Sequence, residues 1–186
     1  MIGKLPTALE VGGVMYPINS DFRVMLNIYA AFGDPELSDR EKAYVCVTNL
    51  YRDFSAIPQS QTEEAIKQAY WFAGGGDMPE SSSHKAKIID WEQDERLIFP
   101  AINKAAGFET RSVPYLHWWS FLGLFGEIGE GLLSTVLSIR QKKAKGKKLE
   151  KWESEFLREH KDTVLLKKKY TKEEQEERDK INALLD

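Results

Sequence analysis

The chain has 186 residues, 42% of them hydrophobic and 30% charged, which suits one globular domain with a sizeable core and excludes a disordered chain. Its net charge of −3 is unevenly spread: residues 1–139 hold 11 basic and 18 acidic side chains, 140–170 hold 12 and 5, and 171–186 hold 3 and 6. The single cysteine, Cys46, excludes an internal disulfide, and no stretch approaches the roughly 18 apolar residues of a membrane span.

Residues 8–18, ALEVGGVMYPI, predict a small hairpin. Gly12-Gly13 supplies the positive φ of a two-residue turn, and Pro17 limits further pairing. The segment before it lacks the apolar run of a signal peptide, so the chain is expected to be intracellular and soluble. From Ser20 the pattern turns helical. Ser20 or Asp21 caps a helix carrying Phe22, Met25, Leu26, Tyr29 and Phe32, ended by Gly33-Asp34-Pro35. Ser38 with Glu41 and Ser60 with Glu63 both have capping-box spacing. The first opens a helix to about Asp53, the second a helix to about Phe72. Cys46, in AYVCVTNLY, is expected to be a buried small hydrophobe.

Residues 74–86, GGGDMPESSSHKA, read as a loop. A helix is then expected from near Ile88 to Gly107, kinked or split by Pro100. A further helix is expected from Ser112-Val113-Pro114 through PYLHWWSFLGLFGEI, apolar on nearly all sides and therefore central. LLSTVLSIR forms another, and QKKAKGKKLEK is a linker or an exposed helix start. Trp152 and Phe156 give the next helix an apolar edge, and Thr171 with Glu174 caps a last helix reaching Leu185. The expected fold is all-α: a single helical body over 1–143 with an N-terminal β-hairpin, and a charged helical tail over 144–186.

His84, His117 and His160 lie far apart and lack metal-ligand spacing. Asp90, Glu92, Asp94 and Glu95 are the best candidates for carboxylate chemistry, since Asp90 and Asp94 share one face of a helix. Against a catalytic pair or a magnesium site stands the plain alternative of acids suited to a helix N-terminus. The glycines of GLFGEIGEG lack the lysine and hydroxyl of a P-loop, and no serine sits in a nucleophile elbow. No catalytic residue, metal or cofactor is expected.

Three blocks carry a family resemblance. They are LPTALEVGGVMYPINSDFRVML with DPELSDREK, then EEAIKQAYWFAGGG with DWEQDERLIFPAINKAAG, and finally LHWWSFLGLF with IRQKK. The Asp-Trp-Glu-x-Asp string and the double tryptophan are their most specific parts. Over about residues 5–143 the chain resembles the bacteriophage "gp fifteen" family, tail assembly chaperones of long-tailed phages. That resemblance implies a non-catalytic protein of the host cytoplasm, not expected in the mature virion. It implies binding to the tape-measure protein, help in recruiting tail-tube protein, and self-association or a frameshift-related chaperone form as further partners. Trp91, Trp118 and Trp119 are the expected core or partner anchors. Lys142, Lys143, Lys147 and Lys148 are expected to steer association. The rival is a nucleic-acid-binding protein using 140–170, disfavoured because Glu150, Glu153, Glu155 and Glu159 interrupt the lysines. No membrane partner is expected.

Overall fold

The computed structural model describes residues 3–78 and 86–184. The fold is mainly helical, with one antiparallel hairpin of β1 (Ala8–Val11) and β2 (Val14–Pro17). Leu9 pairs with Tyr16 and Val11 with Val14. Gly12 and Gly13 have φ of 58° and 78°, the two positive values that a tight hairpin turn of the strands' own twist requires. A side chain at Gly12 would also run into Gln61, and its N–H donates to Glu64. Period-two alternation turns Leu9 and Val11 into the core and Glu10 outward. Pro17 ends the strand as expected. Its carbonyl accepts from Arg52, and Ile18 bridges to Tyr51, so the hairpin is stitched to the next helices.

Helix α1 (Phe22–Phe32) is capped by Asp21, whose carboxylate accepts from the Arg23 amide. It buries Phe22, Met25 and Ile28, while Tyr29 and Phe32 sit at the core margin. Helix α2 (Asp39–Leu50) opens with the Ser38–Glu41 capping box and buries Cys46, Val47 and Leu50. Burial pushes the Cys46 thiol up to about 12. Helix α3 (Thr62–Ala73) departs from expectation at its start. Residues 59–61 form a 3₁₀ turn, so Ser60 lies inside a turn and caps nothing, and Gln61 precedes the helix with no side-chain cap.

The next two helices both begin later than their hydrophobic patterns suggest. Helix α4 runs Glu95–Ala106, not from Ile88, because Asp90 bends the chain into a turn first. Pro100 neither splits it nor ends it. It lies on the exposed side of the helix, away from the buried Ile98, Phe99 and Ile102. Gly107 closes α4 at φ 76°. Helix α5 runs Trp118–Gly126, not from Val113. Residues 115–117 are held extended against the start of α1: Phe22 donates to Leu116, Trp118 donates to Ser20, and the Asp21 carboxylate accepts from Leu116. Only past His117, whose ring caps the Trp119 amide, is the chain free to turn.

Helix α6 (Leu132–Ala144) is followed by α7 (Lys151–Glu159), a single turn α8 (Lys161–Val164) and α9 (Lys172–Ala183), the last with the expected Thr171–Glu174 capping box. The main core joins the hairpin, α1 to α5 and Leu133 of α6. At its centre Phe22 stacks on Phe121 with centroids 4.6 Å apart, and Trp118 stacks on Phe121 at 5.7 Å. A second cluster of Val136, Ile139 and Val164 draws α7 and α8 onto α6, with Leu97 of α4 shared between the two. Among the described residues no helix is long and apolar enough to cross a membrane.

Candidate functional site

Asp90 and Asp94 do not share a helical face, which corrects the expectation from the sequence. They lie on the turn before α4. One Asp90 oxygen accepts the amides of Glu92 and Gln93, and the Asp90 amide donates to Asp94 at 2.9 Å. An aspartate that bonds nearby amides competes with the helix for them, which delays the helix start. Burial alone would raise the Asp90 carboxyl. The Gln93 amide and the Lys87 ammonium outweigh it, and the carboxyl is held below its ordinary range.

Asp94 is 1% exposed, and its carboxylate faces the guanidinium of Arg140, itself 6% exposed. The two bonds measure 2.6 and 2.8 Å. The other Arg140 donors reach the carbonyls of Val164, Ile88 and Thr163. Both buried carboxylates are therefore occupied by the fold itself. Nothing in the sequence around Arg140 points to this role beyond its place at the end of an apolar helix. A lone arginine there, two residues before a lysine pair, looks like one more surface charge.

His117 is buried, with Nδ1 accepting from the Trp119 amide and Nε2 donating to the Pro6 carbonyl at 2.9 Å. Both ring nitrogens are thus engaged within the fold. His160 packs against Phe156, and His84 lies outside the described residues. Among the described residues no group of three or more His, Cys, Asp or Glu side chains converges as a metal site.

The three tryptophans come together within the fold. Trp118 is fully buried and donates to the Ala73 carbonyl. It presents no surface to a partner. Trp119 is half-buried, donates to the Phe72 carbonyl and meets Trp71 edge-on at 5.2 Å. Trp91 is half-buried between Tyr29, Trp118 and Phe125. Its outer side lines a concavity of about 450 Å³ with Phe32, Ile89 and Lys169. Phe32 and Tyr29 also line a neighbouring hollow of about 400 Å³ with Tyr70 and Ala73.

The four lysines divide. Lys142 closes on the buried Glu153 at 2.7 Å, so it holds α7 against α6. Lys143, Lys147 and Lys148 are exposed around the turn after α6, where Gly146 takes φ 64°. Further along, Lys169 pairs with Glu92 and lies 3.8 Å from Asp90. Several basic side chains of 140–170 are thus internal ties between the tail and the body.

A third concavity, of about 540 Å³, lies between the outer face of α4 and residues 127–134. The linings of the three hollows mix apolar side chains with charged ones.

A family model described as "Bacteriophage Gp15 protein" matches residues 1–166. No curated protein and no solved structure matched the chain.

Proposed function

The chain belongs to the Bacteriophage Gp15 protein family, and from that premise we propose that it is a tail assembly chaperone. In this role it binds the tape-measure protein and helps recruit tail-tube protein, with no catalytic step. The observation that carries the reading is the family match over residues 1–166. The physical chemistry agrees with it. A tape-measure chain exposes long apolar helical stripes until the tube surrounds it, and a chaperone for it needs hollows that accept amphipathic helices. The hollows beside Trp91 and Phe32 and along α4 have that character.

The rival nucleic-acid reading has lost ground. Arg140 is buried, Lys142 is tied to Glu153 and Lys169 to Glu92. The basic segment therefore offers fewer open charges than its sequence suggests.

The test is co-expression with fragments of a tape-measure protein, followed by co-purification at low and high salt. Apolar burial is not screened, so a fragment should remain bound at high salt. Steering by Lys143, Lys147 and Lys148 should fade as the Debye length falls from about 8 Å at physiological ionic strength to about 3 Å at 1 M. Reversing these charges should slow association more than it speeds dissociation. If no fragment gains solubility or co-purifies while the protein retains DNA, the chaperone reading gives way to the nucleic-acid one.

A further inference from the structure

Past Val164 the chain leaves α8 and runs as an irregular strap, residues 165–171, across the body to α9. Its upstream end is fixed. Val164 is buried with Val136 and Ile139, and Arg140 holds the carbonyls of Thr163 and Val164. Beyond that point the attachment changes in kind. Among the described residues, neither apolar cluster includes a residue after Val164, and α9 buries none.

Polar anchors hold the strap instead. The Gln93 side chain donates to the Leu165 carbonyl and accepts from the Lys167 amide, both at 2.8 Å, so a side-chain amide does the work of a neighbouring strand. Two residues on, the Lys169 ammonium pairs with Glu92 and lies 3.8 Å from Asp90. The Lys172 amide then donates to Glu36. Within the segment, Tyr170 has Lys168 over its ring at 4.7 Å and Arg178 of α9 at 4.1 Å, which ties strap and α9 together.

Lys169 also serves α1. That helix ends at Gly33 with no basic residue in its last turn. A β-carbon at Gly33 would stand 3.5 Å from the Lys87 ammonium and 3.7 Å from that of Lys169, so both cations lie at the negative end of the helix. The bond to Glu92 raises the Lys169 ammonium above its ordinary range against the cost of burial, and the charges of Asp90 and Asp34 add to it. The same side chain lines the hollow of Tyr29, Phe32 and Trp91.

We propose that residues 165–172 are a releasable latch, which leaves the body as one unit with α9 and opens the side of the Trp91 hollow that Lys169 closes. Apolar burial would bind the strap to the global fold. Polar bonds at the solvent edge break at little net cost, which places the strap at the low-stability end of the molecule. The hinge lies just past Val164, where the hold of Arg140 ends. Release takes a cation from the end of α1 and leaves Glu36 and Glu92 without their strap partners. The family match ends at residue 166, so the outer anchors Lys169 and Lys172 lie beyond the matched part. The latch does not depend on the chaperone reading above.

The experiment follows amide exchange of the full chain by NMR. The amides of Lys167 and Lys172 should exchange far faster than that of Trp118, which donates to Ser20 in the core. Lys169→Met should speed both strap amides by up to about fivefold at low salt, and by little at 1 M, where the Debye length is about 3 Å. Gln93→Met should speed both by about tenfold at either salt, including Lys172, whose own anchor is Glu36. Acrylamide quenching of Trp91, read as the part of the signal that Trp91→Phe removes, should rise in both variants. The Trp118 amide should exchange as in the parent. If a variant speeds Trp118 as well, its fold is weakened, and the parent decides: raising salt should speed Lys167 and Lys172 but not Trp118. Strap amides that exchange no faster than Trp118 would make the strap part of the global fold and overturn the latch. A rise confined to the amide beside each substitution would mean fraying residue by residue and overturn it too. Strap amides that respond together with Trp91 quenching unchanged would overturn its role at the hollow.

Discussion

Arg140 and Asp94 form a buried, two-bonded ion pair that joins the turn before α4 to α6, at 2.6 and 2.8 Å. All five N–H groups of Arg140 are used: two go to Asp94 and one each to the carbonyls of Val164, Ile88 and Thr163. A guanidinium out of water is tolerated only when every donor is met, and that condition is satisfied here. The pair thus sits where three separate stretches of chain converge.

Arg140→Met is therefore expected to destabilise the protein by about 3–5 kcal/mol, because it strands a buried carboxylate. Adding Asp94→Leu should recover part of the loss, since the stranded charge is then gone. Chemical denaturation of the parent, the single variants and the double variant measures this. An Arg140→Met protein as stable as the parent would show that the carboxylate finds water.

The tryptophans should rank by burial. Trp118→Ala is expected to cost about 3–5 kcal/mol, the range for a large core aromatic. Trp119→Ala should cost less, because its ring is half-exposed, though it leaves the Phe72 carbonyl without its donor. Trp152, 55% exposed, should be replaceable by alanine within about 0.5 kcal/mol. Equal losses at Trp118 and Trp152 would contradict the packing described.

A fragment ending at residue 143 should be less stable than one ending at residue 171. The shorter fragment uncovers Val136 and Ile139, and it removes two of the carbonyls that Arg140 reaches. The longer one keeps both, together with the bonds from Gln93 to Leu165 and from Lys167 to Gln93. Thermal melting of the two fragments beside the full chain is the check. Equal melting of all three would mean that α7 and α8 lie on the body without stabilising it.

Glu153 makes stability depend on pH on the acid side. Its bonds from Lys142, and then from the Glu150 amide, hold its carboxyl below the ordinary value of 4.5. A carboxyl lowered on folding contributes stability that is present above its unfolded value and lost as pH falls through the folded one. The parent should therefore lose stability below about pH 4.5. Glu153→Gln should lose less over the same range. Denaturation midpoints at pH 3.5 and pH 6.5 measure the difference, and identical slopes would remove Glu153 from the account.

What the sequence determined by itself was local. Gly12-Gly13 dictated the hairpin, Ser38 with Glu41 and Thr171 with Glu174 set two helix starts, and Gly107 set a helix end, because each depends on backbone conformation or on bonds within four residues. The all-α class, the buried Cys46 and the central WW helix followed from hydrophobic period in the same way. The tertiary structure decided what depends on partners distant in the chain. Helix α5 starts at Trp118 because Asp21 and Ser20, nearly a hundred residues earlier, hold 115–117 extended. Asp90 and Asp94 do not share a helical face because a turn and Arg140, 46 residues on from Asp94, claim their oxygens. Lys142 and Lys143 look alike in sequence. Only the approach of α7, which brings buried Glu153 to 2.7 Å from Lys142, makes the first a structural tie and leaves the second in water. A charge's role is set by the dielectric and the partners around it, and those exist only when the chain has folded.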